Sequence, residues 1–227
     1  MRVREHTNRE YDQELRRLRE LILRMGAKVE EIIGGSIKAL LERDSVLATR
    51  MIAFDRRVNQ MEMEIDELCL QLLARRQPVA SDLRFITIAL KLVTDLERIG
   101  DLGVNISERV LELNGEPQLK PYVDMPNMAR EVQEMLHEAL DAFVAADVEK
   151  AQGVIARDKN VDAYYTQIFR ELLTYMMEDP RNIFRATRLQ SIAKYLERIG
   201  DHATNLGELV VFMVKGKDIR HAGKLGA

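Results

Sequence analysis

Apolar residues recur every three or four positions along most of the chain, which is the spacing of an amphipathic α-helix. Near the N-terminus this spacing predicts one long helix, which Gly26, Gly34 and Gly35 weaken without breaking. The apolar face of this helix comprises Leu15, Leu18, Ile22, Met25, Val29, Ile32 and Ile33. The same spacing continues after it, so we expect an all-α protein.

Polar caps and prolines divide the pattern into further helices. Asp44 has a side chain that favours a helix N-terminus and predicts a second helix over about 46–76. Pro78 ends that helix, because the residue before a proline is pushed out of the α-region. Ser81 or Asp82 is then expected to cap a third helix.

The third helix is predicted to end near Leu113, where Asn, Gly and Pro residues begin a linker over 114–126. This is the one convincing boundary in the chain. We therefore predict two domains, 1–115 and 116–227.

The pattern of the first half returns in the second. Asp44 and Asp55 have counterparts 103 residues later in Asp147 and Asp158, whereas the third helix repeats at an offset of 100. A difference of three residues fits a shorter surface turn, where a deletion costs little free energy. Two helices of this kind need a third to bury their apolar stripes, so each half is predicted to be a three-helix bundle.

One block is repeated letter for letter. Leu-Glu-Arg-Ile-Gly-Asp occupies 96–101 and 196–201, and Asn105 and Asn205 follow four residues after each copy. A glycine within a helix costs about 1 kcal/mol relative to alanine, so its recurrence predicts close contact with a neighbouring helix. Glu, Asp and Asn four residues apart share one helix face and form a ladder of oxygen ligands.

Carboxylates of the preceding helix face this ladder if each helix pair is a hairpin. With turns centred near residues 79 and 180, the Glu and Asp of each block lie opposite further acidic or amide side chains at the same depth. These are Asp55, Asn59 and Glu62 in the first half, and Asp158 and Asp162 in the second. Clustered carboxylates repel one another, and a bound cation, a basic partner or a raised pKa relieves the repulsion.

Two interpretations of these acids stay open from the residues alone. Arg57, Arg98, Lys159 and Arg198 are near enough in sequence to neutralise them as interhelical ion pairs. Alternatively the acids hold a hard cation such as magnesium, manganese or calcium, because every candidate ligand atom is an oxygen. The Glu-x-x-His spacing of the di-iron bundles occurs only once, at Glu134 and His137 outside the duplicated blocks, so the paired pattern is absent, and His202 beside the second block is expected to be an ordinary helix-face residue.

Charge and composition exclude several classes of protein. The 227 residues include 34 Lys and Arg and 37 Asp and Glu, giving a net charge of −3, whereas nucleic-acid-binding proteins are normally basic. Cys69 is the single cysteine, so a disulfide framework and a Cys-based zinc site are excluded. The sequence also lacks a Gly-rich phosphate loop, a Ser or Cys nucleophile signature and a helix-turn-helix, so neither an enzyme nor a repressor is expected.

The chain has no segment typical of export or membrane insertion. Residues 1–6 are followed by charged residues and lack the apolar stretch of a secretory signal. The most apolar run, 209–214, is far shorter than the roughly 20 residues that span a bilayer. We therefore expect a cytoplasmic protein that meets a membrane only through partners.

The duplicated Leu-Glu-Arg-Ile-Gly-Asp-x-x-x-Asn motif resembles the PhoU family of phosphate-transport regulators. So do Arg-Arg-Gln-Pro-x-x-Ser-Asp-Leu-Arg at 75–84, Leu-Thr-Tyr-Met-Met-Glu-Asp at 173–179 and Val-Lys-Gly-x-Asp-x-Arg-His at 214–221. The likeness runs from about residue 15 to 221. It implies two three-helix bundles whose acidic motifs hold metal ions on a common face.

By this resemblance the metal ligands are Glu62, Asp66, Glu97, Asp101, Asp158, Asp162, Glu197 and Asp201. The repeat departs from symmetry here, since Asp55 and Asn59 are the counterparts of Asp158 and Asp162. The facing ligands of the first half are therefore either Glu62 and Asp66 or Asp55 and Asn59. Family members bind magnesium, manganese, zinc or iron, and the oxygen ligands favour magnesium or manganese.

The resemblance also implies a regulatory function. The protein would link the ATPase subunit of the phosphate ABC transporter to a sensor histidine kinase, as a homodimer, and keep the phosphate-starvation response and phosphate uptake low when phosphate is plentiful. It would not be an enzyme. A metal-dependent hydrolase built on the carboxylate-lined bundle and a metal-free helical scaffold are the alternatives.

Overall fold

The structure, a computed structural model, describes residues 9–216. They form six long α-helices and one short 3₁₀ turn at Pro180–Asn182, with no β-strand in this range, so the predicted all-α fold is confirmed. The helices are α1 (Arg9–Glu42), α2 (Ser45–Arg76), α3 (Ala80–Asn114), α4 (Asp124–Ala145), α5 (Val148–Glu178) and α6 (Ile183–Lys215).

The outer ends of both predicted domains lie outside the described residues, as do 217–221 of the family-like ending. The predicted linker corresponds to residues 115–123 between α3 and α4. Helices of both halves share one continuous hydrophobic core, and the division into two domains stays a prediction. None of the helices among the described residues is both long enough and apolar enough to cross a membrane.

An aspartate caps the second helix of each half, at the predicted Asp44 and at its repeat counterpart Asp147. Asp44 is the N-cap of α2, where its Oδ1 accepts a hydrogen bond of 2.9 Å from the backbone N–H of Leu47. Asp147 does the same for α5, with a bond of 3.0 Å from the N–H of Lys150. The offset of 103 residues therefore repeats a helix-capping interaction as well as a sequence letter.

The start of α3 differs from the prediction. The helix begins at Ala80, and Val79 is its N-cap without a side-chain hydrogen bond, so neither Ser81 nor Asp82 caps it. The carboxylate of Asp82 instead accepts a hydrogen bond of 3.3 Å from the Tyr11 hydroxyl of α1. The Asp82 side chain, which was one of the two expected caps, therefore forms a contact between α1 and α3 instead.

The motif-bearing helices α3 and α6 lie at the centre of the molecule. α3 packs on α1 and α2, α6 packs on α4 and α5, and the two central helices pack on each other, while α1 also contacts α4. Phe85 of α3 stacks on Phe143 of α4, with ring centroids 5.4 Å apart. The two bundles are thus joined by aromatic as well as aliphatic packing.

The repeated glycine marks close helix contact, as predicted. A Cβ on Gly100 would lie 3.3 Å from Oδ1 of Asp55 and 3.4 Å from Cγ1 of Val58, both on α2. A Cβ on Gly200 would lie 3.2 Å from Cγ1 of Val161 on α5. The missing side chain lets each hairpin close tightly beside its acidic residues.

Candidate metal centres

The first acidic cluster lies between α2 and α3. Burial raises the pKa of Asp55, Glu62 and Glu97, and the negative charge of Asp101 raises the pKa of all three further. Burial alone raises the pKa of Asp66. The structure therefore brings one acid of each proposed pair, Asp55 and Glu62, towards the motif, and Asp66 interacts with Glu62. The mutual repulsion of these carboxylates is electrostatically unfavourable at neutral pH.

Two oxygen atoms in this cluster lack hydrogen-bond partners. The Asn59 amide donates a bond of 3.0 Å to Oδ2 of Asp55, while Oδ1 of Asp55 and Oδ1 of Asn59 are buried and accept no hydrogen bond. Buried polar atoms are normally satisfied, so each unsatisfied oxygen needs an explanation. A hard cation accepts electron pairs from such oxygens, so the chemistry of these donor atoms, although not yet their arrangement, suits one.

The second acidic cluster lies between α5 and α6. Burial raises the pKa of Asp158, and Asp162 and Glu197 raise it further, although a hydrogen bond of 3.3 Å from the Thr204 hydroxyl opposes them. Partial removal of its carboxylate from water, together with the charges of Glu197 and Asp158, raises the pKa of Asp201, although the residue as a whole is exposed. The hairpin geometry inferred from the sequence thus places the acids of both helices side by side.

The second cluster has a basic partner that the sequence analysis missed. Nζ of Lys194 lies 2.6 Å from the carboxylate of Glu197, which is only 15% exposed. The sequence did contain a signal for this pair, because residues three apart on a helix lie on the same face and can form an ion pair. Lys194 corresponds to Thr94 in the first half, so the two clusters are not equivalent.

Among the described residues, the cations considered from the sequence form no direct ion pair with the acids, although the charge of Arg98 opposes the rise in the pKa of Glu97. Arg57 lies over the ring of Phe54, 4.9 Å from its centroid. Across residues 9–216, Arg57, Arg98, Lys159 and Arg198 make no ion pair with the clustered carboxylates. The ion-pair interpretation therefore applies to Lys194 and Glu197 and not to the four residues proposed for it.

The clusters are open to solvent on one side. Asp101, Asp162 and Asp201 are exposed, whereas Asp55 and Asp158 are half-buried. Within the described part of the chain, no group of three or more His, Cys, Asp or Glu side chains is arranged so that it could hold a metal ion. Metal ligation by the eight acids named from the family resemblance therefore stays a prediction.

His202 has a specific partner across the two halves. Its Nδ1 lies 2.8 Å from Oδ1 of Asp95 on α3, and the two side chains are 12% and 14% exposed. The expectation of an ordinary helix-face histidine missed this contact. His202 has Leu102 as its counterpart in the first half, so the repeat could not reveal it.

The pH dependence of stability gives a test of the repulsion in the second cluster. A carboxylate whose pKa is higher in the folded than in the unfolded state destabilises the fold once it is ionised. This cost is absent below the unfolded value of 3.8 and grows as the pH rises through the folded pKa. In chelator, Asp158→Asn is expected to be more stable than the wild type at pH 7 by about 0.5 kcal/mol, the scale of half-exposed charge pairs.

Urea denaturation at pH 4, 5, 6 and 7 measures this difference, which should shrink towards zero as the pH falls. Asparagine keeps an oxygen that accepts from Thr204, so the loss of charge is the main change. An Asp158→Asn variant that is less stable than the wild type at pH 7 would contradict the inferred repulsion between the carboxylates of the second cluster.

Known proteins match this chain across both bundles. A family model described as the PhoU domain matches residues 22–110 and 125–210, one match in each bundle. The chain is 45% identical over 219 residues to a Pseudomonas aeruginosa protein named phosphate-specific transport system accessory protein PhoU homolog, covering 96% of this chain and 90% of the relative. It is 39% identical over 223 residues to the Escherichia coli K12 phosphate-specific transport system accessory protein PhoU, covering 98% and 92%.

Solved structures agree with these matches. The crystal structure of PhoU from Pseudomonas aeruginosa superposes with a TM-score of 0.88 at 45% identity, covering 91% of this chain and all of that one. The phosphate transport system regulatory protein PhoU from Streptococcus pneumoniae superposes with a TM-score of 0.86 at 32% identity, covering 92% and 99%.

Proposed function

The chain belongs to the PhoU family, and from that membership we propose that it is a regulatory accessory protein of phosphate transport. When phosphate is plentiful, it links the ATPase subunit of the phosphate ABC transporter to a sensor histidine kinase and keeps the starvation response and phosphate uptake low. It acts in the cytoplasm as a homodimer and reaches the membrane only through these partners. The observation that carries the proposal is the match of both three-helix repeats to one family.

The architecture supports an adaptor over an enzyme. Long charged helix surfaces flank the acidic clusters, and Asp101 and Asp201 face solvent instead of lining a deep pocket. Enzymes usually place such groups in a concave site that excludes water. A metal-dependent hydrolase is the alternative, and turnover of phosphate esters by the purified protein with manganese would favour it.

In the proposed mechanism the acidic clusters bind divalent metal ions, with magnesium or manganese favoured over zinc or iron because the ligands are oxygens. Asp55, Glu62, Glu97 and Asp101 would hold the ion in the first half, with Asp66 and Asn59 beside them. Asp158, Asp162, Glu197 and Asp201 would hold it in the second half, where Lys194 competes for Glu197. A bound ion would neutralise the repelling carboxylates and cross-link the two helices of a hairpin.

Metal ligation predicts a specific pattern of thermal stability. Divalent ions should raise the unfolding midpoint of the wild type, because a ligand that binds only the folded state stabilises it. Asp101→Asn and Asp201→Asn each remove an anionic ligand, so each should weaken this response, while their stability in chelator should change little or rise as repulsion is relieved.

Thermal melts in chelator and in excess magnesium or manganese check this pattern. Glu20→Gln removes an exposed charge from α1 and is the control, with the wild-type response expected. A wild-type midpoint that responds to no divalent ion, together with large losses in both aspartate variants in chelator, would favour the metal-free scaffold.

Deletion of the gene tests the regulatory role. Starvation genes should be expressed despite ample phosphate, because the link that keeps the kinase silent is lost. A reporter fused to a starvation promoter measures this, and the wild-type gene on a plasmid should restore repression. Unchanged reporter expression in a clean deletion would count against the adaptor.

Capture experiments address the partners directly. Tagged protein from cells grown with ample phosphate should retain the transporter ATPase and the sensor kinase. Recovery of neither protein, under conditions that preserve the transporter complex, would contradict the proposed link.

A further inference from the structure

A groove of about 320 Å³ runs between α3 and α6, where the two bundles meet. It is lined by Lys91, Thr94, Asp95, Arg98, Asn205 and Leu209. Its volume lies within the range of small-molecule sites, about 300–1,000 Å³. Arg98 and Asn205 are the groove residues that also belong to a duplicated motif, whereas the carboxylates of the acidic clusters interact across to α2 and α5.

The charges of the groove are unbalanced. Lys91 and Arg98 are exposed and make no ion pair anywhere in residues 9–216. They are seven residues apart on α3, about 10 Å along the helix axis. The carboxylate that lies between them, Asp95, is paired with His202 at 2.8 Å. Two positive side chains that form no ion pair among these residues therefore line the groove, and its one carboxylate is held by His202. Arg98 also attracts the Glu97 carboxylate of the first acidic cluster.

We propose that this groove binds a small phosphomonoester. Such a group carries a charge of about −1.5 to −2 at pH 7, which the two cations would attract. The planar guanidinium of Arg98 donates in the geometry that phosphate oxygens accept, and the Lys91 ammonium adds a point charge. The Asn205 amide adds hydrogen-bonding capacity, and Leu209 provides apolar surface for the organic part.

Two of the three charged residues that line the groove have no charged counterpart in the other repeat. The counterparts of Lys91, Asp95 and His202 are Ser191, Tyr195 and Leu102, so the pseudo-equivalent position cannot offer the same charges. Because its walls come from α3 and α6, one bound molecule would contact both bundles. The proposal is independent of metal binding and of the regulatory role.

Calorimetric titration of the metal-free protein with glycerol 3-phosphate tests the proposal. The double variant Lys91→Gln with Arg98→Gln should raise the Kd at least about tenfold, since two charge-assisted contacts are lost. The control is Arg50→Gln with Arg56→Gln, which removes the same charge from an exposed part of α2 and should change the Kd less than about twofold. Both variants should keep the wild-type circular dichroism spectrum.

Further titrations identify the ligand class. Inorganic phosphate and succinate should bind more weakly than glycerol 3-phosphate, because the first lacks the organic group and the second lacks the phosphate. Equal or tighter binding of either would overturn the assignment. So would the absence of saturable binding, or an equal loss of affinity in both double variants.

Substitution of His202 tests the pairing of Asp95. His202→Leu copies the first repeat and leaves the Asp95 carboxylate unpaired beside the ligand, so the Kd should rise. His202→Gln can still donate to Asp95 and should restore part of the affinity. Wild-type affinity in a folded His202→Leu variant would contradict this part of the proposal.

Discussion

Replacement of Phe143 by alanine is expected to lower the free energy of unfolding by about 3–5 kcal/mol, the range for large aromatic residues in cores. Phe143 is one of the largest fully buried side chains and stacks on Phe85 of the other bundle. Its removal would leave a cavity where α4 meets α3. Since domains are commonly stable by only about 5–15 kcal/mol, the loss is a large fraction of the total.

Urea denaturation followed by circular dichroism measures this loss. Phe169→Ala is the matched control, because Phe169 is 39% exposed on α5 and its truncation should cost less than about 1 kcal/mol. Similar losses in the two variants would contradict the assignment of Phe143 to the core between the bundles.

A second large effect is expected at Gly207 of α6. A Cβ at this position would lie 2.9 Å from the backbone oxygen of Ala151 and 3.2 Å from Cγ1 of Ile155, both on α5. A backbone carbonyl cannot move aside as a flexible side chain can. Gly207→Ala should therefore destabilise the protein by about 1–3 kcal/mol, despite the higher helix propensity of alanine.

Gly153 provides the control with the opposite sign. It lies in α5, and a Cβ there would meet nothing within 4 Å. Gly153→Ala should therefore stabilise the protein by up to about 1 kcal/mol through helix propensity. Denaturation curves of both variants decide the matter, and a gain in stability at Gly207 would show that α6 can shift away from α5 at little cost.

Much of this protein could be predicted from the sequence because the decisive interactions are local. Helical spacing, the Asp44 and Asp147 caps and the prolines between helices act within a few residues, so six helices and their repeat followed directly. Hairpin geometry then predicted that the carboxylates of Asp101 and Asp201 lie close to acidic side chains of the preceding helices, α2 and α5. Only the approximate positions of two turns were needed for that step.

The tertiary structure alone decided which side chains meet. In the second acidic cluster it is Lys194 that forms an ion pair with Glu197, a pair that the sequence analysis did not consider. Asp82 accepts a hydrogen bond from Tyr11 instead of capping α3. The contact between Asp95 and His202 depends on how α3 lies against α6. These outcomes are set by helix rotation and separation, which shift a side chain by several ångströms without changing the periodicity of the sequence.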